Sequence, residues 1–475
     1  MHRFKSSLIA SIGALKMMMT LTAFTLLLTA FGGQARGDSI FVDAGTNSGG
    51  DGTAAAPYRT ITEAIAQARE IRQRKPHSKI NVHVAAGVYN EAFPIYLNIS
   101  KLSLRGSTQL IEDEAGLPQD CGPGAPALPA PCIEAGTETL ITPLNPLQSG
   151  QSLFIVGPTR DRSDLRLTDV SIEGFVFDGR AVDVRTSGLA VFVDRVDEFL
   201  IAHNVSRGTL ISTFTRLSSG KILGQFVYGS NDAFIVGAGS DIHPATVVLK
   251  HNRVTRNNQG SLALGVAPVK VLATDPNLSP LQKIYDPALH PDQVPDKLKI
   301  KLIENDFSRN ATFGFRFQSY VSGNLFYDTT DNQPMTANIT AVIRDNSFTS
   351  NGEYGLTVEG AFATRSNPRA FTATFTGRFH DNDLSGNGRA GIFAGFMLNG
   401  VVTRNPGLIN TNKYVRDSRF RITADEATLS TGLDYDNPLV DPFNHVTPLD
   451  NQLQVNEDLF TGRQLSCPPG FPCAP

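Results

Sequence analysis

One six-residue pattern, returning through the second half of the chain, constrains the fold more than any other feature. It reads Asn305-Asp306-Phe307-Ser308-Arg309-Asn310, then Asn346-Ser347-Phe348-Thr349-Ser350-Asn351, then Asn382-Asp383-Leu384-Ser385-Gly386-Asn387. Each copy has an apolar residue two places after the first Asn and a second Asn five places after it. A glycine follows four places on (Gly314, Gly355, Gly391), and then alternating apolar residues: Phe315 and Phe317, Leu356 and Val358, Ile392 and Ala394. Asn252-Arg253-Val254-Thr255-Arg256-Asn257 matches the first half, with Gly260 one place early. Asn324-Leu325-Phe326 and His203-Asn204-Val205 read as degenerate copies. Asn305 to Asn324 is 19 residues and Asn324 to Asn346 is 22. The 36 residues from Asn346 to Asn382 leave room for a loop near Ala361 to Ala370, and the 53 from Asn252 to Asn305 for an insertion near Pro268 to Lys297.

A period near twenty with two or three short strands per turn predicts a stacked coil. Matching residues then lie one strand spacing apart, about 4.8 Å, on successive turns. Val254, Phe307, Phe348 and Leu384 are predicted to form a continuous internal ladder. Asn suits the corners because it tolerates left-handed φ and hydrogen-bonds its stacked neighbour. Leucine-rich repeats share the period but need a regular Leu framework that is missing. The expected fold class is all-β: a single-stranded, right-handed parallel β-helix with a short N-terminal capping helix.

The N-terminus reads as a secretory signal over residues 1–35. His2, Arg3 and Lys5 precede an apolar run from Met17 to Phe31, and Gly33-Gln34-Ala35 makes a small-x-small cleavage site. The competing reading is an uncleaved anchor, which Lys16 weakens by splitting the apolar stretch. No later segment is apolar and long enough to span a bilayer, so no membrane span is expected after signal removal. Residues 38–110 are assigned to an N-terminal cap and first coils, 111–150 to a Pro/Gly-rich excursion, 151–400 to the repeats, and 401–475 to a terminal cap and tail. The helix is predicted from Thr60 and Glu63 at capping-box spacing. An apolar stripe of Ile61, Ala64, Ile65, Ala68 and Ile71 supports it, and Pro76 stops it.

Four segments of this opening carry a resemblance. They are Phe41-Val42-Asp43, Gly49-Gly50-Asp51-Gly52-Thr53, Pro57-Tyr58-Arg59-Thr60-Ile61 and Val84-Ala85-Ala86-Gly87-Val88-Tyr89-Asn90-Glu91. In this order they resemble the domain of unknown function DUF1565, which opens secreted, pectate-lyase-like β-helix proteins. The resemblance implies that the helix covers the open end of the stack, where strand edges would otherwise go unpaired.

The formal net charge of -3 gives no basic footprint, so nucleic acid is not an expected partner. Hydrophobic residues at 41% and charged residues at 18% exclude a mainly disordered chain. The four cysteines permit three connectivities. Local disulfides, Cys121 with Cys132 and Cys467 with Cys473, each close a Pro-rich loop in a chain bound for an oxidising compartment. No signal for oligomeric state is present.

Proteins on this scaffold that act on polysaccharides use the outer face of one sheet, as lyases, hydrolases or epimerases. None of their local catalytic motifs is present, so no catalytic residue carries over from the resemblance. The residues themselves offer a polar column. His251, Glu304, Asp345 and Asp381 stand just before each repeat Asn, and Arg253, Asp306, Ser347 and Asp383 just after. Asp345 and Asp381, on neighbouring coils, are candidate Ca²⁺ ligands or, with Asp383, an acid/base pair. His380 and Arg344 are candidates for a base or charge clamp. Solvated corner residues are the competing reading. Lys250, Arg253 and Arg256 are candidate contacts for an anionic glycan, against a plain basic patch. Asp43, Asn47 and Asp51 could hold calcium or simply make a turn. A secreted or surface location is expected, with a polysaccharide or cell-envelope glycan as partner. The function expected is action on that glycan or binding without turnover; a purely structural solenoid is the third reading. The absence of tryptophan speaks mildly against a stacking platform, although 10 tyrosines are available.

Overall fold

The structure, a computed structural model, describes residues 38–46, 49–122, 129–147, 151–158, 166–180, 183–240, 243–265, 295–318, 335–362, 371–388, 390–398, 401–409, 414–415 and 418–425. The signal assigned to 1–35, Asn47, the Asn324 copy, Cys467 and Cys473 lie outside them.

Each turn of the chain visits three sheets in a fixed order, called here first, second and third. One turn runs Leu167–Glu173, Val176–Asp178 and Leu189–Asp194. The next runs Val196–Ala202, Val205–Arg207 and Ile211–Arg216. Corresponding strands pair in parallel: Leu200 with Ser171, Val205 with Val176, Val191 with Thr213. The same order holds from Ile80–Val84 to Phe371–His380. The chain is therefore a right-handed parallel β-helix with a single helical cap. At the far end Val401–Ile409 and Ser418–Asp425 add antiparallel to the third and first sheets.

The interior is the predicted ladder. Val254, Phe307 and Phe348 are fully buried and Leu384 is nearly so. Phe307 and Phe348 stack at 5.5 Å between centroids, 11° from parallel. Beside them run two ladders of buried asparagine. The Asn252 backbone N–H and its Nδ2 both donate to Asn305 Oδ1, and the contact recurs from Asn305 to Asn346 and from Asn346 to Asn382. Each Nδ2 also reaches back to a carbonyl of the preceding coil, such as Asn305 to Leu249. The second ladder joins Asn257, Asn310, Asn351 and Asn387 in the same way. Each amide thus satisfies backbone groups on both sides of a buried corner.

These bonds correct the period. Asn305 pairs directly with Asn346, 41 residues on, and Leu302 pairs with Ile343. Coil lengths are 27, 53, 41 and 36 residues from Gln225 through Asn382, because the connections differ while the corners do not.

At the N-terminus the four motif segments form one hydrogen-bonded unit. The helix Ile61–Arg74 has the predicted capping box at Thr60 and Glu63. Glu91, ending the last segment, accepts from the Ile61 and Thr62 N–H groups and from the Thr62 hydroxyl. Tyr89 Oη accepts from Ala44 N–H and donates to the Ala85 carbonyl. Gly52, at φ +80, is needed because a Cβ there would stand 2.4 Å from the Tyr58 ring. Glu91 is 7% exposed, and burial holds its carboxyl above the usual range against the helix N–H groups that favour the anion. Glu91→Ala should lower unfolding stability by about 2 kcal/mol, because it removes a buried acceptor from a helix N-terminus. Denaturant unfolding of the two proteins measures it.

The chain leaves the first sheet at Gly106 and re-enters the second with Thr139–Ile141. Between them is an arm with antiparallel bridges Leu110–Ile133 and Asp120–Pro131, closed by a Cys121–Cys132 disulfide. Leu110 and Ile133 pack on Val176, Val205, Phe226 and Tyr228, outside the second sheet.

Candidate functional site

The polar column of the sequence is the corner between the first and second sheets. His203, His251, Glu304, Asp345 and Asp381 all have φ between 48° and 55° or at 56°, the left-handed turn that steers the chain into the following Asn. Backbone geometry therefore accounts for a polar, turn-tolerant residue at each position. Asp345 and Asp381 do sit on neighbouring coils, since Arg344 pairs with His380 and Asn346 with Asn382. Asp345 is paired with Arg344 on its own coil at 3.1 Å. Among the described residues no three His, Cys, Asp or Glu side chains are placed to hold a metal ion, so these two stand without a third such ligand.

Five residues of the sequence reading do come together one to two coils earlier. Glu304 accepts from His251 at 2.6 Å and Lys250 at 3.1 Å; burial alone would raise its carboxyl, yet these two together hold it below the usual range. Arg253 bridges Asp306 at 3.2 Å and Asp113 of the arm at 2.9 Å. Burial raises the Asp306 carboxyl in spite of Ser308 and Arg253 beside it. The arm also sets Glu112 3.5 Å from His203, and Gly116 lies where a Cβ would be 3.3 Å from His251. Lys250 and Arg253 are thus each paired with carboxylates of the fold. Arg256 is not part of this group; it occupies another left-handed corner, past the second sheet. Asp383 follows Asp306 and Ser347 along the second sheet's outward row. In the opening loop Asp43 and Asp51 accept from their own turns, at Gly45 and Thr53, as plain turn residues do.

The third sheet carries what the sequence reading missed. Its outward row passes from Tyr96 through Ile155, Phe192, Phe214, Ile235 and Leu262 to Arg316. Phe192 and Phe214 are 5.3 Å apart, and the Arg316 guanidinium lies 4.0 Å from the centroid of Phe313. Flanking the row are buried charges. Asp194 accepts from Arg195 at 3.0 Å and Arg216 at 2.9 Å, and the Arg216 guanidinium caps Phe192 at 5.5 Å. Burial alone would raise the Asp194 carboxyl, yet Arg216 and Arg195 together hold it below the usual range. Asp232, register partner of Ile211, is 7% exposed. Its Oδ2 accepts from Asn231 Nδ2 at 2.8 Å, while its Oδ1 is buried with no hydrogen-bond partner. Burial pushes this carboxyl up to about 6, with Asn231 and Arg316 opposing. Apolar ground, paired arginines and a carboxyl titrating near neutrality are the ingredients of a ligand site. Nothing local announces them: they come from strands many residues apart, and only the coil register puts them on one face.

Third-sheet strands end at Val156, Leu264 and Gln318, and the first sheet resumes only at Leu167, Pro295 and Met335.

Residues 44–115 match the family described as a protein of unknown function, DUF1565. No curated protein matches the sequence. Among solved structures the A-module of the mannuronan C-5 epimerase AlgE4 of Azotobacter vinelandii is 12% identical, with TM-score 0.39 over 74% of this chain and 81% of that one. The A-module of AlgE6 from the same organism is 10% identical, with TM-score 0.36 over 72% and 79%. The DFA-IIIase of Arthrobacter chlorophenolicus A6 without its lid is 11% identical, with TM-score 0.41 over 68% and 71%. The chain is a right-handed parallel β-helix protein whose opening, residues 44–115, carries the DUF1565 pattern.

Proposed function

We propose that this is a secreted protein that binds extracellular polysaccharide along the outward face of the third sheet and acts on it there. The observation that carries the reading is the coincidence, on that one face, of the half-buried Phe214 and Ile235 with the Asp194–Arg216 and Asp232–Arg316 groups. Aromatic and aliphatic ground packs the apolar face of a sugar ring, and flanking carboxyl and guanidinium groups take its hydroxyls and any acidic substituent. Coil spacing of about 4.8 Å repeats the ground along the helix axis, as a polymer of repeating units requires. The signal at residues 1–35 and the disulfide of Cys121 and Cys132 fit export. Among the described residues no helix is long and apolar enough to cross a membrane.

The test is a panel of neutral and uronate polysaccharides, scored for binding and for new reducing ends, unsaturated products or epimerised units, with and without Ca²⁺. Saturable binding to at least one polymer is expected, with loss in Phe214→Asp, whose charge on the row disrupts the ground. Product formation identifies the enzyme class. Binding that persists in Phe214→Asp moves the site off the third sheet. No binding to any polymer ends the reading.

A further inference from the structure

Asp232, on the third sheet's face, has only half of its hydrogen bonding complete. The Asn231 amide fixes its Oδ2 at 2.8 Å, which sets the plane of the carboxyl. Its Oδ1 is removed from water and meets no donor. A buried carboxylate oxygen without a donor costs on the order of 1–3 kcal/mol or more, and native chains keep such atoms for a reason. The surroundings suggest which donor is missing. Ile211 lies directly beside Asp232 in the sheet, and Leu210, Phe214 and Ile235 pack around Ile211 on the same face. None of these can donate. Arg316 acts on the carboxyl through its charge only. A ligand seated on Phe214 and Ile235 would bring its own edge up to the start of the strand, where Asp232 stands.

We infer that Asp232 Oδ1 is the acceptor for a hydroxyl on the edge of a sugar ring that lies across Phe214 and Ile235. The inference rests on the polysaccharide reading and deepens it: it commits to a pyranose or furanose hydroxyl, not a carboxylate or sulfate, as the group at this position. An anionic substituent would meet a carboxylate oxygen, while a hydroxyl supplies the missing donor and leaves the ion pairs of Asp194 untouched. A site built around an unpaired acceptor also discriminates strongly, since an analogue lacking the hydroxyl restores the orphaned atom.

The experiment is calorimetric titration of the full chain with an oligosaccharide of whichever polymer the panel identifies. It compares wild type, Asp232→Leu and Asp232→Asn, with each variant's unfolding transition recorded alongside. Asp232→Leu is expected to weaken binding at least tenfold while its unfolding transition stays cooperative. Asp232→Asn retains an acceptor oxygen and should fall between the two. Should Asp232→Leu fail to fold, the readout passes to the wild-type protein and the deoxy analogues of the same oligosaccharide, one of which is expected to bind at least tenfold more weakly. Wild-type-like affinity in both variants, or equal affinity for every deoxy analogue, overturns the assignment and leaves the polysaccharide reading standing. Absence of any wild-type binding overturns both.

Discussion

Asn346→Ala is expected to lower the unfolding free energy by about 4 kcal/mol, which few single amide deletions approach. Asn346 Oδ1 accepts from both the backbone and the side chain of Asn305, and its Nδ2 donates to Leu302, Arg344 and Asn382. Alanine leaves the Asn305 N–H and the Leu302 carbonyl in a dry corner without partners. The loss is expected to reach both neighbouring coils, since the ladder is continuous from Asn252 to Asn382. Denaturant unfolding gives the magnitude, and amide exchange at Asn305 and Asn382 its spread. A change under 1 kcal/mol would mean that water enters the corner and replaces the amide.

Asp194→Ala carries an effect of similar size by a different route. The carboxylate is 3% exposed and lies between two guanidinium groups that are themselves almost wholly buried. Removing it takes the shared anion from between two buried guanidinium groups, for which about 4 kcal/mol is the usual scale. The wild-type protein should show the matching acid dependence. The folded carboxyl titrates below its unfolded value, so its contribution is complete above about pH 4 and fades as the pH falls through the folded value. The Asp194→Ala protein should lack that part of the acid transition. Superimposable curves of stability against pH below 4 would show that the arginines find other anions.

The winding was legible in the sequence because its determinants are local and repeated. Asn305, Phe307 and Asn310 specify a corner, an inward side chain and a second corner within six residues, and the copies at Asn346 and Asn382 declare the stack. The helix start at Thr60 and Glu63 was legible for the same reason. Coil length was not, because Asn324-Leu325-Phe326 has the outline of a corner in sequence, and only the pairing of Leu302 with Ile343 shows 41 residues between stacked positions. The charged group at Lys250, His251 and Glu304 was visible as residues but not as ion pairs, since Glu304 stands 53 residues from His251 along the chain, and Arg253 meets Asp113 of the arm across 140 residues. The third-sheet face stayed hidden because Asp194, Asp232 and Arg316 each look like an ordinary strand-end charge. Their shared side depends on alternation within strands, which irregular spacing at positions such as Ala190 and Ala233 obscures.

From the first sheet to the second the chain crosses in two residues at Ala202 to Val205 and at Leu223 to Phe226, and through the disulfide-closed arm between Arg105 and Thr139. From the third sheet back to the first it crosses in one residue at Arg195 and in a long span between Leu264 and Pro295. A span of that size leaves the flanking rungs in register, since Thr246 pairs with Lys299 and Leu262 with Arg316 across it. Length can therefore be added between rungs without disturbing the spine that holds them.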